Sequence, residues 1–217
     1  MGIKVKICGL RTAEALDAAI DVGADYFGLV FYERSPRNVG IAAARDLAAQ
    51  GRGRARSVAL LVDPGDDTIK RVVGEVEPDM IQLHGQETPE RVAEIGKLAG
   101  RPVIKAIRVA SEEDAQCSMA YDGIADMVLF DSLPAEGDAS ALPGGNGVPF
   151  DWQALRDMSR NKRQFILSGG LTCENVQQAI AATGATFVDV SSGVESTPGN
   201  KDTRLIQRFV AAAKSVG

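Results

Sequence analysis

Eight short apolar or β-branched runs alternate with eight segments of helical periodicity along this sequence, and that alternation constrains the fold more than any other feature. The strand-like runs lie near 3–8, 26–31, 57–62, 79–83, 102–108, 126–130, 164–168 and 186–190. Helical spacing of apolar residues marks 12–22, 40–50, 66–76, 88–99, 111–121, 151–159, 172–182 and 201–215. Successive strands start about 26 residues apart, the length a βαβ crossover with short loops requires. Strict alternation predicts a parallel sheet covered by helices, and eight units favour closure into a single α/β (β/α)8 TIM barrel spanning 1–217. At 217 residues the barrel is compact against the roughly 250 typical of the fold. No G-x-G-x-x-G follows the first strand, which disfavours an open dinucleotide-binding sheet.

Composition excludes several function classes. No apolar run approaches the roughly 18 residues of a membrane span. Lys and Arg total 24 against 29 Asp and Glu, a net charge of −5 that argues against a nucleic-acid partner. The three cysteines, Cys8, Cys117 and Cys173, are odd in number and form no C-x-x-C pair, so neither a disulfide framework nor a zinc site is expected. Met1–Gly9 has no apolar core of the signal-peptide kind, and a cytoplasmic location is expected. His84 is the only histidine, so a mechanism needing two is excluded.

In a barrel, chemistry belongs at the C-terminal ends of the strands. Period-two alternation turns Lys4, Lys6 and Cys8 to one face and Ile3, Val5 and Ile7 to the other. The aliphatic set suits packing under helices, so Lys6 and Cys8 should enter the barrel. A cysteine beside a lysine can ionise below its usual range, and that reactive role is favoured over that of a small buried hydrophobe. Cys173, near the same face, is a weaker rival thiol, and Cys117 is expected to be inert. Asp131 ends the sixth strand on the face of Leu129, as a candidate acid or base or as a cap for the loop that follows. Asp189 sits similarly in the eighth strand, or pairs with Lys6. Ser168-Gly169-Gly170, running into a helix expected near Thr172, and Ser191-Ser192-Gly193 form adjacent glycine-rich loops suited to a phosphate. The long segment 132–150 and the shorter 191–200 should lie on the same face, the first as a functional loop.

Together these segments resemble the phosphoribosylanthranilate isomerases of tryptophan biosynthesis. The resemblance rests on Lys6-Ile7-Cys8-Gly9, Ser35-Pro36-Arg37, Gln82-Leu83-His84-Gly85, Leu129-Phe130-Asp131, Gly144–Gly147 before Phe150-Asp151-Trp152, Ser168–Leu171, Asp189–Glu195 and Pro198-Gly199 before Lys201-Asp202. It implies an Amadori rearrangement of N-(5′-phosphoribosyl)anthranilate, with Cys8 as base, Asp131 as acid and no metal or organic cofactor. Lys6 is expected to favour the Cys8 thiolate, and a dry pocket to favour neutral Asp131. Arg37 would grip the substrate carboxylate with its planar fork. Gly169, Gly170, Ser192 and Gly193 would hold the phosphate, while Gln82, His84 and Asp189 would order the substrate or support the residues that do, with a structural place equally open to His84. A monomer is expected. Asn146 and Cys173 depart from the family pattern, where Thr and Pro are usual.

Two other functions compete. A Schiff-base aldolase would use Lys105, on the fifth strand, as nucleophile. A non-catalytic phosphate sensor would keep the two glycine-rich loops but could lose the acid or the base.

Overall fold

The computed structural model describes residues 2–133, 151–155, 158 and 164–216. Eight parallel strands close a barrel in chain order: β1 (Lys4–Cys8), β2 (Tyr26–Phe31), β3 (Arg56–Leu61), β4 (Met80–Leu83), β5 (Val103–Val109), β6 (Met127–Ser132), β7 (Ile166–Leu167) and β8 (Phe187–Val190). Closure comes from β8 pairing with β1, which sets Lys6 beside Asp189. Seven described α-helices surround the strands: α1 (Ala13–Asp21), α2 (Ile41–Gly51), α3 (Asp66–Val76), α4 (Pro89–Ala99), α5 (Glu112–Gln116), α6 (Val176–Thr183) and α7 (Thr203–Lys214).

The alternation of side chains builds two cores. Val5 and Ile7 face outward under the helices with Leu16, Phe27, Phe130, Val188 and Phe209. Inside the barrel, Tyr26, Val58, Met80, Ile104, Leu129, Ile166 and Phe187 fill its lower half, with the Tyr26 and Phe187 rings 4.8 Å apart. Each such fully buried side chain stabilises the fold by about 1.5–3 kcal/mol. This apolar floor fills the end of the barrel interior away from the C-terminal ends of the strands. A recurring aspartate just before the even strands stitches neighbours together. Asp25 accepts from Val5 N at 2.8 Å, Asp79 from Ser57 N at 2.7 Å and Asp126 from Val103 N at 2.8 Å.

Local chemistry explains where helices start. Thr12 caps α1, and Thr88 caps α4 ahead of Pro89. A reciprocal Ser111–Asp114 capping box opens α5. Three helices differ from their sequence-based bounds. The segment 111–121 is helical only over α5 and tightens into a 3₁₀ turn at Cys117–Tyr121, where the Tyr121 hydroxyl donates to the Glu87 carbonyl at 2.9 Å. The helix expected from Thr172 starts at Val176. The Asn175 side chain accepts from Thr172 N at 2.8 Å and donates to the Gly170 carbonyl at 2.9 Å, holding 172–175 as a turn. In the segment 201–215, Lys201 belongs to a hairpin and Asp202 caps α7.

That hairpin replaces the plain loop expected at 191–200: a 3₁₀ turn, Ser192–Val194, leads into antiparallel β9 (Glu195–Thr197) and β10 (Asn200–Lys201). Of the helix expected at 151–159, the described residues form a 3₁₀ turn, Trp152–Leu155, with Met158 helical beyond it. Most of the segment 132–150, Gly144–Gly147 and Phe150 included, lies outside the described residues.

Candidate active site

A pocket of about 640 Å3 opens at the C-terminal end of the strands. Cys8, Arg37, Gln82, His84, Asp131, Gly169, Gly170, Asp189 and Ser192 all line it, so most of the residues singled out in the sequence converge on one space. Gly193 stands just behind. A side chain there would run into the Leu171 carbonyl, so its missing Cβ lets the two glycine-rich loops touch. Gly169 and Gly170 adopt φ of 86° and 61°, the left-handed region. Because α6 starts late, a short turn separates Gly170 from the helix, and the loop offers its own backbone donors rather than a helix terminus.

Lys6 is fully buried beneath this pocket and donates to Asp189 Oδ1 at 2.8 Å, while Ser168 Oγ donates to Asp189 Oδ2 at 3.2 Å. Burial works against a charged Lys6, but the charges of Asp189 and Cys8 and its hydrogen bonds to both outweigh it and hold its pKa above the ordinary lysine value.

The expected Cys8 thiolate is not what this environment favours. Burial pushes the thiol pKa up; Lys6 and Lys201 pull it down, but Asp189 pushes up as well, and the net shift is upward from 9.0. Lys6 fails to ionise Cys8 because its charge is already matched by Asp189. Gly28 across the sheet makes room for the thiol, since a Cβ there would stand 2.8 Å from Cys8 Sγ.

On the opposite wall, Asp131 accepts from Ser132 N at 2.9 Å and lies 3.1 Å from His84 Nε2. His84 Nδ1 in turn lies 3.1 Å from Gln82 Nε2. Gln82 is completely buried, and its Oε1 has no hydrogen-bond partner among the described residues.

Arg37 is pinned from several sides. Arg11 Nη1 donates to the carbonyl of Pro36 at 2.9 Å, and Ser35 Oγ accepts from Arg37 N at 3.2 Å. The planar fork expected to grip a substrate carboxylate is taken by the protein: Nε and Nη2 donate to the two carboxylate oxygens of Glu195.

Two sequence candidates fall away. Lys105 points outside the barrel, where its Nζ donates to Glu87 Oε2 at 2.9 Å and the Gly85 carbonyl at 2.8 Å. It is not among the described residues lining the pocket and cannot serve as its Schiff-base nucleophile. Cys173 also lies off the pocket, with Sγ donating to Glu174 Oε1 at 3.0 Å. Among the described residues no group of three or more His, Cys, Asp or Glu side chains could hold a metal ion. No described helix is long and apolar enough to cross a membrane.

Residues 5–212 match the family model for N-(5′-phosphoribosyl)anthranilate isomerase. The chain belongs to that family. It is 50% identical, over all of both chains, to the N-(5′-phosphoribosyl)anthranilate isomerase of Rhodospirillum centenum. Among solved structures, the phosphoribosylanthranilate isomerase of Thermotoga maritima is 33% identical with a TM-score of 0.87, covering 98% of this chain and 99% of that one. A second is a phosphoribosylanthranilate isomerase in complex with reduced 1-(o-carboxyphenylamino)-1-deoxyribulose 5-phosphate. It is 32% identical with a TM-score of 0.85, covering 98% of this chain and 99% of that one.

Within this phosphoribosylanthranilate isomerase fold, several site residues carried no assignment in the sequence. Val30, Tyr32, Leu60 and Val62 make an apolar wall beside Cys8. Period-two continuation of β2 and β3 past their ends was the available signal. Glu195 and Lys201 had none beyond lying in recognised segments, because their partners are remote or hidden in the hairpin. Lys201 donates to Glu195 Oε1 at 2.7 Å and the Ser191 carbonyl at 2.9 Å, and Ser191 Oγ donates to the Cys8 carbonyl at 3.1 Å.

Proposed function

We infer that the chain isomerises N-(5′-phosphoribosyl)anthranilate to 1-(2-carboxyphenylamino)-1-deoxyribulose 5-phosphate, a step of tryptophan biosynthesis. The observation that carries this inference is the convergence of Cys8 and Asp131 on one pocket roofed by two glycine-rich loops. Asp131 gives its proton to the ribose ring oxygen. The C1′–O bond breaks with its electron pair going to that oxygen, and the anthranilate nitrogen lone pair forms the C1′=N iminium bond. Cys8, as thiolate, then removes the C2′ proton. The C–H pair becomes the C1′=C2′ bond, the iminium pair returns to nitrogen, and the enolamine tautomerises to the ketone. Substrate and product are isomers, so no co-reactant is needed.

The surroundings suit these roles. Val30, Leu60 and Val62 keep water from the iminium, while Ser132 N and His84 give Asp131 hydrogen-bonding partners. The 5′-phosphate fits the backbone donors of Gly169, Gly170, Ser192 and Gly193. Arg37 attracts the anthranilate carboxylate, and Asp189 holds Lys6 under the thiol. The raised Cys8 pKa makes the thiolate the minor form at neutral pH, so turnover draws on a small ionised fraction. The protein is proposed to work as a cytoplasmic monomer.

The test generates phosphoribosylanthranilate in situ and follows its fluorescence after the protein is added. Decay faster than the spontaneous rate is expected. An unchanged rate discards the isomerase and leaves the phosphate sensor.

A further inference from the structure

The mechanism above gives no work to Gln82, fully buried on β4 and carrying an acceptor that meets nothing among the described residues. The other polar atom of the amide does have a partner. That atom, Nε2, lies 3.1 Å from His84 Nδ1. An amide nitrogen only donates, so Nδ1 must be the bare, accepting nitrogen. The neutral ring then carries its proton on Nε2, which is 3.1 Å from Asp131 Oδ2. Ser132 N donates to the other oxygen, Oδ1. Asp131 thus meets two donors, one at each oxygen.

We propose that Gln82 is a positioning residue that locks His84 in the Nε2–H tautomer, so that His84 stabilises the carboxylate Asp131 becomes once it has protonated the substrate. The inference rests on the acid role given to Asp131 above. In that role the proton leaves Asp131 for the ring oxygen, and negative charge develops between two fixed donors that need no reorganisation. A proton on Nδ1 would face an N–H of Gln82, so this contact and the Nε2–H tautomer go together. The opposite orientation of the amide would present Oε1 to Nδ1–H and turn a bare Nε2 towards Asp131. Its stabilisation of the carboxylate would then be lost.

His84 is the only histidine, so 15N-histidine labelling gives one pair of ring signals, assignable to protonated and bare nitrogens. In the wild-type protein Nε2 should carry the proton and Nδ1 should not. Gln82→Leu should release that preference and lower kcat about ten-fold with KM within about three-fold, because the lost interaction matters most in the transition state. Gln82→Glu, whose carboxylate accepts a proton from Nδ1, should invert the tautomer and lower kcat further. A wild-type ring protonated at Nδ1 overturns the proposal, whether or not any variant folds. So does a Gln82→Leu protein that loses turnover with its tautomer unchanged, or one whose tautomer changes with kcat intact. The ring assignment needs no turnover, so a failure of the isomerase function itself would be seen separately in the wild-type assay.

Discussion

Arg37 and Glu195 face each other through two parallel hydrogen bonds, Nε to Oε1 at 2.8 Å and Nη2 to Oε2 at 2.9 Å, across 158 residues of sequence. Both side chains are buried, and Lys201 shares the Oε1 atom. Burial disfavours the Glu195 carboxylate, but hydrogen bonds and charge from Arg37 and Lys201 outweigh that, and its pKa sits below the ordinary value of 4.5. Lys201 is shifted down as well, because its own burial and repulsion from Arg37 exceed the pull of Glu195. The triad ties the β9–β10 hairpin to the second βα loop and aims Arg37 at the pocket. Arg37→Ala should raise KM about ten-fold or more, and Glu195→Gln should do so less, with kcat within about three-fold in each. Unchanged KM in both variants would remove Arg37 from substrate binding.

Because the folded pKa of Glu195 is depressed, its contribution to stability is present above the unfolded value and is lost as pH falls through the folded one. The wild-type protein should therefore lose more stability below pH 4.5 than Glu195→Gln does. Urea unfolding of both proteins between pH 6 and 3 measures the difference.

Asp131→Asn and Cys8→Ala should each lower kcat by about 10²–10⁴ while KM moves little, since proton transfer acts on the transition state. Steady-state assays of both variants check this. A Cys8→Ala enzyme of normal rate would remove the proposed base.

The upward shift of Cys8 has a pH signature. Its folded pKa lies above 9.0, so the thiolate fraction of Cys8 should keep rising as pH increases from 7 to 9, read as ultraviolet thiolate absorbance in a protein whose Cys117 and Cys173 are replaced by Ser. Lys6, Asp189 and Lys201 are the charged groups that act on it. A thiolate signal already complete at pH 7 would contradict a neutral resting thiol. Alkylation followed by mass spectrometry should modify exposed Cys117 well before buried Cys8.

Lys6→Met should destabilise the protein by about 3–5 kcal/mol, because Asp189 would be left as a buried charge with no cation beside it. Replacing both, as Lys6→Met with Asp189→Leu, should restore much of that loss. Denaturant unfolding of the single and double variants is the measurement.

Much of the site could be read from local pattern. Alternation along Ile3–Cys8 correctly sends Val5 and Ile7 under the helices and Lys6 and Cys8 inward, and it separates Asp131 and Leu129 from Phe130. The pairing of Lys6 with Asp189 was open to the same reasoning, because both sit on inward faces of strands that closure makes neighbours. Lys105 was harder to place. Val103 and Ile104 are both apolar, so neither face announces itself, and only the partners Glu87 and Gly85 show that the lysine points out. The start of α6 was missed for a different reason. The Asn175 side chain competes for backbone groups that an apolar period does not see.

By itself the sequence determined the eight-fold architecture and that Cys8, Asp131 and Asp189 reach the open end of the barrel. Both follow from periodicity, a property of neighbours along the chain. Tertiary structure alone decided that Cys8 rests as a thiol, that Glu195 occupies the Arg37 fork, and that Gln82 presents its nitrogen to His84. Those outcomes depend on burial and on distances between groups far apart in sequence. Desolvation and pairing are set only once the barrel has closed.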